Sequence, residues 1–341
     1  MPASSMRSIP LFSLFALTAL TLPAADDPIA AARAAWKAGD YSKAGEVLTT
    51  PAAAESTAAL VLRGQKAETG RGAPHSHAEA LKLYRQAMDK GNEDAMAACG
   101  RYLISGTGGS EKDPEKGLFL IRKAAESGSG SAMALLGDFA LNGVGQEPDP
   151  KAAAFWYQRA SAKMEPIGFL GLARLYDAGT GGLIQDEARG TSLVLDAARL
   201  GEPQAMHEMG LRYQAGRGVL RDNVAAVGWF SMAVQYELPA AMVQLGNCYE
   251  TGNGCLNDID KAGRQYAAAA KLGFPAGQFM LGSLFERGAG IKPNPVFAYV
   301  NYTRAAAGGY KEAEAKRDNL KATLTPTQLV EATKLLAGPE Q

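Results

Sequence analysis

The sequence predicts an all-α chain, folded as a right-handed α/α superhelical solenoid of about seven helix-turn-helix repeats. Three observations carry this reading. A Gly-x-Gly step recurs at Gly70/Gly72, Gly106/Gly108, Gly143/Gly145, Gly179/Gly181, Gly216/Gly218, Gly252/Gly254 and Gly288/Gly290, at intervals of 36 or 37 residues. A residue of helix N-cap type stands four or five residues after each step. Behind each cap, small and bulky apolar residues alternate at helical spacing.

The first element in the chain reads as an address. Met1 to Ala25 holds no acid and one base, Arg7, then an apolar run from Ile9 to Leu22 and the exit Leu22-Pro23-Ala24-Ala25. The run is shorter than the roughly 20 helical residues that cross a bilayer. A basic start, an apolar middle and a small-residue exit make a secretory signal peptide over 1–25, and the expected product is exported, periplasmic or secreted. No Cys stands near the exit to take a lipid. Residues 26–55 read as an N-terminal helical half-repeat or cap: Ile29 to Trp36, a break at Gly39-Asp40-Tyr41, a second helix from Ser42, and a linker from Pro51 to Ser56.

Seven repeats are then expected over 56–309. Their caps are Ser76, Asp113, Asp149, Asp186, Asp222, Asp258 and Asn294, and Pro follows directly at Pro114, Pro150 and Pro295, where a missing N–H costs nothing. Four residues past the cap stands Ala or Gly; eight past it stand Tyr84, Ile121, Tyr157, Val194, Phe230, Tyr266 and Tyr302; eleven past it stands Ala in every unit, from Ala87 to Ala305. These offsets share one helix face, so the small residues admit a second helix and the bulky one fills the space between. Fifteen past the cap, Gly91, Gly128, Gly201, Gly273 and Gly309 supply a left-handed stop in five units. The helix before each Gly-x-Gly carries Leu-Gly-x-x-Tyr or a relic of it, as in Met209-Gly210 with Tyr213 and Leu245-Gly246 with Tyr249. Such pairs bury their apolar faces only by stacking on neighbours. Residues 310–341 read as charged C-terminal capping helices, the last opened by Thr325-Pro326.

The run Met209-Gly210-Leu-Arg-Tyr213-Gln-Ala-Gly216-Arg-Gly218-Val219, with Asp258-Ile-Asp-Lys261-Ala262, Ala269-Ala270 and Trp156-Tyr157, resembles the Sel-one-like repeat, a sister of the tetratricopeptide repeat. The resemblance implies a scaffold or adaptor. Some exported bacterial members regulate envelope or exopolysaccharide systems. One secreted, cysteine-rich subfamily, which binds or hydrolyses β-lactams, places a Cys pair in each repeat around the Ala-Ala segment, and that segment here holds no Cys.

Composition narrows the function. Lys+Arg and Asp+Glu both number 35, and removal of Arg7 with the leader leaves a formal charge of −1, so a bulk polyanion finds no basic surface. Three Cys do not make a disulfide framework. No nucleophile elbow, phosphate loop or zinc-protease motif is present, and no catalytic, cofactor or metal residues are assigned. His75-Ser76-His77 lacks a third ligand, and Ser76 is already a cap. Cys248 and Cys255 lie seven apart. They form either a disulfide in an oxidising compartment or a buried thiol with a second Cys in the Val position after Gly-x-Gly. Cys99 reads as a core thiol.

The resemblance also implies that the first helices line the concave groove, with residues three before the helix Gly and one and four after it facing inward. That selects Gln65, Glu68, Arg101, Asp138, Arg174, Asp177, His207, Gln214, Asn247, Glu250, Ser283 and Glu286, with Phe279 and Leu170 as apolar anchors. The expected function is an exported, non-enzymatic adaptor that binds a protein or peptide on this face. The alternative is a cell-envelope enzyme or accessory factor acting on wall or exopolysaccharide material.

Overall fold

In the computed structural model, the described residues are 28–338 except 38–39, 55, 71–73, 146 and 291. The leader reading for 1–25 lies outside them. The described residues form nineteen helices and no strand. Helices α1 (Pro28–Lys37), α2 (Tyr41–Leu48) and α3 (Pro51–Ala54) come first, so the stretch expected as a linker contains a single helical turn, packed against α1, α2 and α4.

The repeats follow as pairs. The first helices are α4 (Thr57–Thr69), α6 (Glu93–Ser105), α8 (Gly130–Asn142), α10 (Pro166–Ala178), α12 (Pro203–Ala215), α14 (Pro239–Thr251) and α16 (Pro275–Arg287). The second helices are α5 (His77–Asp89), α7 (Pro114–Glu126), α9 (Pro150–Ala162), α11 (Glu187–Arg199), α13 (Asn223–Val234), α15 (Ile259–Lys271) and α17 (Pro295–Ala307). Helices α18 (Lys311–Thr323) and α19 (Pro326–Ala337) close the stack, with α19 packed on α17.

Each boundary follows from local chemistry. All seven expected caps accept a backbone N–H from the first turn of a second helix, as Asp113 Oδ1 does from Lys116 at 3.0 Å. The cap's own N–H donates back to the preceding first helix, for instance Asp222 to the Tyr213 carbonyl at 2.9 Å and Asp258 to that of Tyr249 at 2.9 Å. This bond ties the Tyr position of Leu-Gly-x-x-Tyr to the start of the next helix. The first Gly of each step ends its helix in the left-handed region, from φ 64° at Gly179 to 74° at Gly216. The second Gly, at Gly108, Gly181, Gly218, Gly254 and Gly290, serves close contact between repeats. A Cβ on Gly181 would lie 2.6 Å from the Pro150 carbonyl oxygen, at the start of the previous second helix.

The second helices end in a turn of their own. The N–H of the residue after the turn returns to the carbonyl of the repeated Ala: Asn92 to Ala87 at 3.0 Å, Glu165 to Ala160 at 3.1 Å and Phe274 to Ala269 at 3.1 Å. This is a Schellman closure, and it demands a left-handed residue. Five units use Gly there; the other two place Met164 at φ 59° and Glu237 at φ 55° in the same conformation.

Packing follows the pattern. The seven bulky second-helix residues are at most 1% exposed, and all seven repeated Ala are fully buried. The aromatic ones lie flat on a first-helix Gly: a Cβ on Gly137 would lie 2.5 Å from Tyr157 Cε1, and one on Gly246 2.5 Å from Tyr266 Cε1. The core is accordingly a row of clusters along the stack, not one globular centre. First helices of neighbouring repeats, α6 with α8 and α8 with α10, touch one another more than second helices do, which sets them on the inside of the curve.

Candidate functional site

The inner face is built from positions one and four after each first-helix Gly. The buried second-helix tyrosines reach these positions with their hydroxyls. Tyr84 donates to Glu68 at 2.9 Å, Tyr157 to Asp138 at 2.7 Å and Tyr302 to Glu286 at 2.7 Å, while the Tyr266 hydroxyl lies 2.7 Å from both Glu250 Oε2 and Asn247 Oδ1, its one proton shared between them. A base from the next repeat then meets the same acid: Arg101 on Glu68 at 2.6 Å, Arg287 on Glu250 at 2.5 Å and Lys316 on Glu286 at 2.8 Å. Burial, adjacent carboxylates and these hydrogen bonds hold the Tyr84, Tyr157, Tyr266 and Tyr302 hydroxyls protonated far above the ordinary range. Burial pushes Glu68 upward, but Arg101 and Tyr84 outweigh it and leave its carboxyl below the usual value.

These contacts revise one expectation. Glu68, Asp138, Asn247, Glu250 and Glu286 are on the predicted face, yet they also join one helix to the next. Asp177 departs further: it is 7% exposed as a residue, buried rather than on the groove surface. Its carboxylate takes Arg212 Nη2 at 2.5 Å and Arg217 Nη2 at 3.0 Å, and Arg212 Nη1 also donates to Thr191 Oγ1 at 3.0 Å.

Two cavities gather most of the remaining candidates. One, about 370 Å³, lies across α4, α6, α8 and α10, with Gln65, Glu68, Arg101 and Asp138 on its walls. It also exposes Asp94 and Glu165, which the sequence reading missed. Burial pushes the Glu165 carboxyl up to about 7, with Asp94 and Glu202 adding to the rise. The second cavity, about 490 Å³, lies between α10 and α12 and brings together Leu170, Arg174, Asp177 and His207 with Glu208, Arg212 and Arg217. Leu170 is 7% exposed and forms wall more than anchor. Burial lowers the His207 pKa.

The other candidates spread along α12, α14 and α16. Gln214 Nε2 approaches Cys248 Sγ at 3.5 Å, and Phe279 packs on Tyr302 and Tyr310 with ring centroids 5.3 and 4.7 Å apart. The Ser283 carbonyl accepts from Arg287 Nε at 3.3 Å. Cys248 and Cys255 are free thiols here; Cys248 is buried on α14 and Cys255 packs at the edge of the same cluster. Cys99 is buried, as expected.

Arg212 left a signal in the sequence. Two residues after the first-helix Gly, the other units place Tyr102, Phe139, Leu175, Cys248 and Leu284, and in the first Lys66. An arginine at a position otherwise mostly apolar marks a charge that must be paired inside the fold. Among the described residues no three His, Cys, Asp or Glu side chains gather as a metal site, and no helix is long and apolar enough to cross a membrane.

The sequence model described as Sel1 repeat matches residues 59–92, 93–129, 130–163, 169–202, 203–235, 239–274 and 275–310. None of the curated proteins compared matches the chain. Among solved structures, the chain is similar to a protective antigen of uropathogenic Escherichia coli strains that displays an SLR fold, with TM-score 0.63 and 24% identity over 91% of this chain and 67% of that one. It is also similar to a Sel1 repeat protein from Oxalobacter formigenes, with TM-score 0.51 and 25% identity over 71% of this chain and 96% of that one. Sel1 repeat proteins generally act as protein-interaction scaffolds and are typically not enzymes. Seven consecutive matches over this helical stack lead to one conclusion: the chain belongs to the Sel1 repeat family.

Proposed function

We propose that this protein is an exported, non-enzymatic adaptor whose inner face binds a protein or peptide partner. The observation that carries the reading is the pair of adjoining cavities on that face, which share α10 as a wall. Concave surfaces with apolar floors and convergent polar groups are where ligands bind. Gln65 and Arg174 are exposed at their margins and are not committed to the repeat ladder. Export rests on the leader composition of residues 1–25.

The test places a photocrosslinking residue at Gln65, at Arg174 and, as a control, at Phe119 on second helix α7, which is 63% exposed. Crosslinks to one partner from Gln65 and Arg174 but not Phe119 are expected. Equal capture from all three, or capture from Phe119 alone, removes the inner-face reading. Fractionation with N-terminal sequencing checks export, and an unprocessed cytosolic chain refutes it. Arg101 is a poor probe, because a reversed charge there would face Glu68 and disturb the α4–α6 junction.

A further inference from the structure

The cavity between α10 and α12 differs from the rest of the inner face in charge. Asp177 is shared by two guanidiniums, those of Arg212 and Arg217. Glu208 meets Arg212 Nε at 3.1 Å. Arg174, exposed on the cavity wall, forms no ion pair among the described residues, although its charge reaches the Tyr157 hydroxyl that Asp138 holds. The lining holds three arginines and two acids, and Glu187 just outside it meets Arg217 Nε at 3.6 Å, so the charge left for a ligand is that of the exposed Arg174. His207 Nε2 is buried there with no hydrogen-bond partner. Burial lowers the pKa of that ring, and its packing on Phe230, with centroids 5.7 Å apart, fixes its plane. His207 lines the cavity, and a buried polar atom without a partner carries a desolvation cost that a ligand atom reaching it would repay.

The neighbouring cavity is lined mainly by acids. Glu68 is paired with Arg101, but among the described residues Asp94, Asp138 and Glu165 form no ion pair. Asp94 takes only the hydroxyls of Ser129 at 2.6 Å and Ser131 at 3.1 Å. A polyanion laid along this face would meet those carboxylates, so the anion suited to the α10–α12 cavity is a single group.

We propose that the α10–α12 cavity receives one carboxylate side chain of an extended partner peptide, whose nearby basic residue lies toward the α4–α8 cavity. The proposal rests on the inner-face reading above and adds the partner's chemistry. Arg174 supplies the charge, and His207, as the tautomer protonated on Nε2, supplies a second donor. Helix spacing of about 10 Å puts the two cavities roughly 20 Å apart. An extended chain covers that in about six residues.

The experiment selects from a random twelve-residue peptide library on the purified protein, then measures one enriched peptide by fluorescence anisotropy. The expected winners carry an Asp or Glu with a Lys or Arg about four to eight residues away. Arg174→Glu should weaken such a peptide about tenfold, or roughly 1.4 kcal/mol. Changing the peptide's acid to its amide should cost a similar factor in the native protein and much less in Arg174→Glu. Peptides that crosslink at Gln65 but carry no acid, or that ignore Arg174→Glu, overturn this proposal and leave the inner-face reading standing. Peptides that bind without reaching either inner-face crosslinker defeat both. A library that yields no binder also counts against the proposal.

Discussion

The turns that close the second helices give the sharpest test of how this sequence folds. Met164 and Glu237 occupy the left-handed position that Gly91, Gly128, Gly201, Gly273 and Gly309 occupy in the other units. A side chain there crowds the following carbonyl, at a cost of about 1–2 kcal/mol. Glycine removes that cost but loses about 0.5–1 kcal/mol more chain entropy on folding. Met164 is 60% exposed and Glu237 is exposed, so neither substitution gives up buried surface. Met164→Gly and Glu237→Gly should therefore each stabilise the protein by about 0.5–1 kcal/mol. The reverse change has a clean site: a Cβ on Gly273 meets nothing within 4 Å, so Gly273→Ala reads the backbone alone. It should cost a similar amount. Urea unfolding followed by circular dichroism measures all three, with midpoints compared at constant slope. If both glycine variants are no more stable than the parent, and Gly273→Ala costs nothing, the left-handed account of these turns is wrong.

Three further outcomes follow from the geometry. Asp177→Asn leaves Arg212, 2% exposed in its side chain, with only the partly exposed Glu208 as an acid, and should cost about 2–3 kcal/mol, below the roughly 3–5 of a fully unpaired buried charge; adding Arg212→Met should recover part of the loss, and strictly additive unfolding energies would contradict the pairing. Gly137→Ala forces a methyl against Tyr157, whose ring is fully buried and whose hydroxyl is held by Asp138, and should cost about 1–3 kcal/mol. Gly228→Ala, mid-helix in α13 with open space around it, should gain about 0.5–1 kcal/mol by the same melts, and equal effects at the two sites would refute the packing argument. The Glu165 carboxyl has its pKa raised by burial, Asp94 and Glu202 to about 7. The folded state thus binds this proton more tightly than the unfolded chain, and Glu165 subtracts stability as pH rises from about 4.5 through 7. Glu165→Gln should stabilise the protein at pH 8 by up to roughly 2 kcal/mol and by less at pH 5, and an equal gain at both pH values would reject that titration.

Much of the architecture was legible because the repeat states its own grammar seven times. Caps, stops and the Ala and Tyr positions are set by helix geometry, which acts over a few residues and so appears as fixed spacing. The candidate face was legible in outline by the same offsets. Its roles were not. Glu68 and Glu250 read as free surface acids, yet each is held by a tyrosine of its own repeat, 16 residues away, and an arginine of the next. No local spacing rule reaches across that distance. Asp94 lies in the first turn of α6 and Glu165 directly before α10, where the sequence shows only helix-start acids, and the cavity that groups them exists once four repeats are stacked.

By itself, then, the sequence determined the helices, their ends, the repeat length and the residues that pack between them, because those depend on backbone hydrogen bonds and side-chain volume within one unit. Tertiary structure alone decided which charges meet. It buried Asp177 between two arginines and gathered Asp94 and Glu165 from separate repeats into one cavity. Electrostatic pairing depends on distance in space and on loss of water, and both are fixed only when one repeat closes on the next.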